Sequence, residues 1–237
     1  MTMDVLLIPG FWLNAASWDG VVPALEAAGH RVRALTLPGL ASLDDDRAGV
    51  GLADHVAAVV AVVDETPGPV VLVGHSGGGA IAHAVVDARP DSVARVVYVD
   101  SLPLGDGGVI NDQLPVVDGE VPLPDWSVFG KEDLTDLDDR LRERFRAVAI
   151  PEPAAVASDR QALRDTRRYD VPITVITCEY SSTTLRELMA KDHPYLAELA
   201  KVHDTTLVDL PTGHWPQFTK PAELAAAIVD ALADGSD

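Results

Sequence analysis

Residues Pro69–Ala82 read PVVLVGHSGGGAIA. A β-branched apolar run, Val70-Val71-Leu72-Val73, leads into Gly74-His75-Ser76-Gly77-Gly78, and an apolar pattern with helical spacing follows. This predicts strand, sharp turn and helix, with Ser76 at the apex. Glycines on both sides let the backbone fold tightly enough to hold the serine in a strained conformation with its hydroxyl exposed. A helix opening at Gly77 aims free N–H groups and its positive dipole end at any charge that forms beside that hydroxyl. A glycine-rich turn that merely joins strand to helix accounts for the glycines but leaves the apical serine unexplained.

Outward from this turn the same grammar repeats. Asp4–Ile8 is a continuous apolar run ending at Pro9-Gly10, as expected of a strand buried on both faces, and Arg31–Leu37 alternates as a second strand. Ser17 is placed to cap a helix to Ala28, closed by Gly29, and Leu52–Val63 has helical spacing. Arg95–Val99 forms a strand ending at Asp100; Pro172–Cys178 and Thr205–Leu210 form two more, with helical stretches at Thr183–Ala190, Tyr195–Ala200 and Ala222–Ala233. Strands alternating with helices predict an α/β fold, a doubly wound, mostly parallel six-stranded sheet flanked by helices. From Ser101 to Asp170 prolines and acidic residues thicken, as in DQLPVVDGEVPLPDW, and a charged amphipathic helix covers Leu134–Val148. That stretch is too long and too polar for a simple crossover, so 101–170 reads as an inserted helical cap on a core of 1–100 and 171–237.

Composition narrows the function classes. The chain has 237 residues, 47% of them apolar, enough for one α/β domain with an insertion. A formal net charge of −19 argues against nucleic acid and anionic membranes as partners and disfavours highly anionic substrates. Solubility is the simpler account of that charge. The single cysteine, Cys178, excludes an intrachain disulfide, and Asp44–Asp46 and the dispersed histidines lack metal-ligand spacing. GHSGGG also lacks the phosphate-loop lysine and the dinucleotide spacing. The opening MTMDVLLIPG has no basic start and too short an apolar run for a signal peptide or a span, so a cytoplasmic protein, monomer or homodimer, is expected.

A serine hydroxyl is a poor nucleophile without a base in hydrogen-bond reach. Of seven histidines, His214 follows the last strand in a tight Thr-Gly-His-Trp-Pro loop, at the strand ends where open α/β sheets place their sites. His75 should point away from Ser76, and His30, His55, His83, His193 and His203 suit structural or surface roles. Cys178, at a strand end without an elbow around it, suits a buried packing role.

The chain resembles the α/β-hydrolase superfamily, in particular small esterase-like and hydroxynitrile-lyase-like members with a short cap. The resemblance rests on the opening strand with its Pro-Gly-Phe-Trp loop, the GHSGG elbow, RVVYVDSLP, and the terminal GHWPQFTKPAEL. It implies Ser76 as nucleophile, His214 as base, the N–H groups of Phe11 and Gly77 as oxyanion hole, and no metal or cofactor. Two departures stand out. Pro9-Gly10 replaces the His-Gly often found in the family, and the slot after the penultimate strand, Cys178-Glu179-Tyr180-Ser181-Ser182, lacks the usual aspartate. Asp100, ending the strand after the nucleophile helix, is the preferred acid, with Glu179 as runner-up. Trp12, Trp126, Phe129 and Trp215 suit either the wall of an apolar pocket or core packing. The expected activity is serine-dependent cleavage of a neutral, partly apolar ester or lactone. A lyase on the same fold, cleaving cyanohydrins, and a non-catalytic ligand-binding protein are the alternatives.

Overall fold

In the computed structural model, which describes residues 1–233, the period-two pattern of the strands sorts their side chains into two apolar layers. From β1 (Asp4–Ile8), Leu6 and Ile8 enter one layer and Val5 and Leu7 the other. From β3 (Val70–His75), Val70 and Leu72 join the first and Val71 and Val73 the second. Two apolar faces require cover on both sides. With β2 (Arg31–Ala34), β4 (Val93–Val99), β7 (Ile173–Thr177) and β8 (Thr205–Asp209), these strands form a parallel sheet of order β2-β1-β3-β4-β7-β8. A separate antiparallel pair, β5 (Glu120–Val121) and β6 (Glu152–Pro153), lies in the stretch between β4 and β7.

The helices α1 (Val22–Ala27) and α8 (Pro221–Ala233) pack together over the second layer. The helices α2 (Leu52–Glu65) and α3 (Gly77–Ala88) pack together over the first. The sheet is therefore doubly wound, as the alternation of elements predicts. Shorter helices α4 (Asp139–Val148) and α5 (Ala154–Ser158) flank β6, while α6 (Ser182–Met189) and α7 (Pro216–Thr219) follow β7 and β8. Among the described residues no helix is long and apolar enough to cross a membrane.

Several boundaries differ from the sequence expectation for local reasons. The helix expected from Ser17 is split: Asn14 caps a 3₁₀ turn at Ala15–Trp18, and α1 restarts at Val22 with Pro23 in its first turn. The helix expected from Leu134 begins only at Asp139. Asp136 sits at φ 61 in the preceding turn, and Asp138 caps α4 by accepting from the Leu141 N–H at 2.8 Å. β2 stops at Ala34 rather than Leu37, and the stretch around Tyr195–Ala200 forms two 3₁₀ turns.

Close approach fixes the glycines of the elbow. A Cβ on Gly78 would stand 2.5 Å from the Pro9 carbonyl oxygen and 2.6 Å from that of Ile8, so α3 rests directly on the end of β1. Gly78→Ala is expected to cost about 1–3 kcal/mol and lower Tm by roughly 2–12 °C, as read by thermal unfolding. An unchanged Tm would show that the backbone has room to yield.

Candidate active site

The carboxyl ends of the parallel strands bring together residues far apart in sequence. Ser76 follows β3, with φ 51 and ψ −124, a left-handed conformation that non-glycine residues seldom adopt. The elbow is held in that shape from β4. The Ser76 N–H donates to the Val99 carbonyl at 3.2 Å, and the Ser76 carbonyl accepts from the Ser101 hydroxyl at 2.7 Å. Ser76 Oγ then stands 2.8 Å from His214 Nε2.

The loop after β8 is fixed just as firmly. The Gly213 N–H donates to the Thr135 carbonyl at 3.0 Å and the His214 N–H to the Asp133 carbonyl at 2.9 Å. A Cβ on Gly213 would strike both of those backbone stretches, so this loop needs its glycine. His75, whose ring is buried, donates from Nε2 to the His214 carbonyl at 2.7 Å. On the far side of the His214 ring, Nδ1 lies 2.7 Å from Asp100 Oδ2 and 3.1 Å from Glu179 Oε1. Asp100 makes the hydrogen bond; Glu179 Oε1 is buried without one. Facing carboxylates place the ring proton on Nδ1, which leaves Nε2 free to accept the Ser76 proton. Asp100, at φ 42, is itself anchored: its Oδ1 accepts from the N–H groups of Cys178 at 2.9 Å and Glu179 at 3.3 Å.

The charges follow from these contacts. Burial alone would raise the Asp100 carboxyl, but the His214 hydrogen bond and charge and the two backbone donors hold it below its ordinary value. Burial raises Glu179, and the neighbouring Asp100 charge adds to this against the pull of His214. Burial likewise pushes His214 down, yet Asp100 and then Glu179 outweigh it and move the imidazole up. Burial drives His75 down to about 3, so its ring is neutral, and keeps Cys178 a thiol rather than a thiolate.

Among the described residues neither the Phe11 nor the Gly77 N–H donates to a protein group. The Phe11 ring is close enough that a Cβ on Gly77 would stand 2.9 Å from it. Both residues line, with Ser76, Asp100, Glu179 and His214, a cavity of about 790 Å³. Of the four aromatics singled out from sequence, Trp12 and Phe129 are on its wall. Trp126 and Trp215 are not. They meet Phe129 and Phe145, mostly edge to face, at centroid distances of 5.2–5.8 Å in an aromatic cluster that reaches the cavity through Phe129. Ligand atoms of Asp100, Glu179 and His214 lie within 4.8 Å of one another, near enough to hold a metal ion. Such an ion would need the Nδ1 lone pair, the opposite tautomer to the one that serves Ser76.

Sequence reasoning missed three supports: His75 and Ser101, each bonded across to the partner loop, and Glu152, which accepts from the Trp12 N–H at 3.3 Å. The histidine of GHSGG was a readable signal for the first; nothing local marks the other two.

The profile of the alpha/beta hydrolase family matches residues 5–227. The chain belongs to this family. Among its hydrolase relatives, the pyrethroid hydrolase of Sphingobium wenxiniae is 28% identical over 256 aligned positions, covering 96% of this chain and 86% of that one. The lipase LipV of Mycobacterium tuberculosis is 30% identical, covering 75% and 74%. Among solved structures, an extracellular alpha/beta-hydrolase from a Paenibacillus species superposes with a TM-score of 0.77 at 21% identity, covering 97% of this chain and 98% of that one. A methylesterase from Arabidopsis gives 0.76 at 17% identity, covering 98% and 100%. These two likenesses concern the hydrolase fold.

Proposed function

We propose that this alpha/beta hydrolase is a cofactor-free serine esterase acting on neutral, partly apolar carboxylic esters or lactones, with residues 101–170 as the cap over its pocket. The unbroken hydrogen-bonded line from Ser76 Oγ through His214 to Asp100 carries the reading. Ser76 attacks the carbonyl carbon while His214 Nε2 takes its proton. Asp100 holds the Nδ1 proton and stabilises the imidazolium. The oxyanion is received by the Phe11 and Gly77 N–H groups. His214 returns the proton to the leaving alcohol, and water repeats the cycle on the acyl-enzyme. Relatives named pyrethroid hydrolase, lipase and methylesterase support ester cleavage.

The cavity wall favours uncharged substrates. It carries five acidic side chains, Asp100, Asp106, Asp133, Glu179 and Glu198, against Arg168 and Lys201. Both cations are already engaged by Glu198, Lys201 at 2.9 Å and Arg168 at 3.1 Å. A carboxylate substrate would be repelled, and a carboxylate product helped to leave. A fluorophosphonate probe should label Ser76 stoichiometrically, and p-nitrophenyl acetate and butyrate should be hydrolysed. A chain that takes no probe and turns over none of a panel of neutral esters and lactones is not a serine esterase.

The raised His214 sets the pH dependence. The ring works as a base only when neutral, and adjacent carboxylates favour the charged form, so kcat/KM should rise with pH to a midpoint above the ordinary imidazole range. Glu179→Gln removes one of those carboxylates and should move the midpoint down. An unmoved midpoint would mean that the ring does not sense Glu179.

A further inference from the structure

Glu152 is almost wholly buried, at 1% exposure, yet it belongs to neither the nucleophile nor the acid side of the site. It lies instead against the loop that follows β1. Trp12, at φ 66, holds the residue after Phe11 in a left-handed conformation that a tryptophan adopts only under constraint. All three polar groups of Trp12 supply that constraint. Its N–H donates to Glu152 Oε2 at 3.3 Å, its indole N–H donates to the Val121 carbonyl at 3.0 Å, and its carbonyl accepts from the Ile150 N–H at 2.9 Å. Val121 and Glu152 are direct partners across the β5–β6 pair, so that small ladder places two of the three clamps. On the other side of Phe11, Gly10 is pressed onto the elbow: a Cβ there would stand 2.7 Å from His75 Nδ1 and 2.9 Å from Ser76 Cβ.

We propose that Glu152 is a positioning residue for the oxyanion hole: by holding the Trp12 N–H it fixes the Phe11–Trp12 peptide and so the aim of the free Phe11 N–H. The inference rests on the serine-esterase reading. The groups that face Glu152 favour an uncharged carboxyl in this role. His55 on α2 lies with Nδ1 3.8 Å from Glu152 Oε1, and that nitrogen has no hydrogen-bond partner. The other His55 nitrogen contacts the Pro38 carbonyl at 2.9 Å and must carry the proton, so Nδ1 can only accept. Arg47 also draws on Glu152 through its charge; its two terminal nitrogens are engaged by the Leu43, Ser42 and Asp45 carbonyls and by Glu120, while its Nε is buried without a partner. Burial lifts Glu152 to about 8 and lowers His55, which keeps both neutral at pH 7. A neutral Glu152 presents a carbonyl oxygen to Trp12 and a hydroxyl toward His55.

The test compares Glu152→Leu, which removes the acceptor, with Glu152→Gln, which keeps an acceptor and a donor without a titrating group. Readouts are kcat and KM for p-nitrophenyl butyrate from pH 6 to 10, and inhibition by a trifluoromethyl ketone, whose serine adduct places an oxyanion in the hole. Glu152→Leu should lose about 10–100-fold in kcat, part of the value of one oxyanion donor, with KM within about threefold and ketone affinity falling in step. Glu152→Gln, which keeps the acceptor for the Trp12 N–H, should keep kcat and ketone affinity within about threefold. A folded Glu152→Leu that retains kcat, or loses only KM, overturns the proposal. If Glu152→Leu does not fold, Glu152→Gln decides: a tenfold loss of kcat or of ketone affinity at pH 7 overturns it. Failure of the esterase reading looks different, since wild type itself would then neither turn over ester nor take a fluorophosphonate.

Discussion

Ser76→Ala is expected to lower kcat for p-nitrophenyl butyrate by about 10⁵–10⁶-fold and to leave Tm within a few degrees. Among the described residues the hydroxyl has one protein partner, His214 Nε2, so its removal leaves no buried donor or acceptor stranded elsewhere. His214 itself stays anchored by Asp100, by the His75 ring on its carbonyl and by its own N–H on Asp133. Backbone strain at φ 51 is much the same for alanine as for serine, and the bonds to Val99 and Ser101 that maintain it are made by the main chain. What disappears is the proposed covalent route. The oxyanion donors and the bound geometry alone leave a residual advantage of about 10³–10⁴ over water. With Ser76 and His214 acting as one unit, as proposed, adding His214→Ala to Ser76→Ala should cost almost nothing further. A fluorophosphonate that still labels the alanine variant, or turnover within about 100-fold of wild type, would sink the assignment of Ser76.

The parts of this site differ in how visible they are in the sequence, and the reason is contact range. The elbow is legible because strand, turn and helix are consecutive, and its glycines answer to clashes within one short stretch and the strand end beneath it. The sheet is legible because burial on both faces writes continuous apolar runs at β1, β3 and β4. The acid is ambiguous for a physical reason. β4, β7 and β8 are neighbours in the sheet, so the residues just beyond β4 and β7 both reach the ring carried beyond β8. No local pattern distinguishes a carboxylate that accepts the ring proton from one that stands 0.4 Å farther off the same nitrogen. The aromatics divide, with Trp12 and Phe129 on the cavity wall and Trp126 and Trp215 off it. Trp215 adjoins His214 in sequence, yet its ring is buried in the cluster with Trp126 and Phe145, where its large apolar surface leaves water. Glu152 lies 140 residues from the Trp12 whose N–H it holds, on a two-residue strand too short to leave a periodic trace.

Asp100→Asn should reduce kcat by about 10⁴-fold, whereas Glu179→Gln should cost less than about tenfold. The asymmetry comes from what holds each carboxyl. Asp100 Oδ1 accepts from the Cys178 and Glu179 N–H groups, and an asparagine must keep its carbonyl oxygen there or leave two backbone donors unpaired. Its amide nitrogen is then forced to face His214 Nδ1, donor against donor. The ring escapes by moving its proton to Nε2, the atom that must accept from Ser76. The variant is folded, properly arranged and in the wrong tautomer. Among the described residues no backbone donor anchors the Glu179 carboxyl and its Oε1 makes no hydrogen bond, so its amide can turn without dictating the ring's tautomer. Measured side by side at saturating ester, with folding checked by thermal unfolding, the two variants separate the acid from its neighbour. A Glu179→Gln loss that matches or exceeds that of Asp100→Asn would transfer the role to Glu179. Wild-type rates in both would mean that Ser76 and His214 work as a dyad.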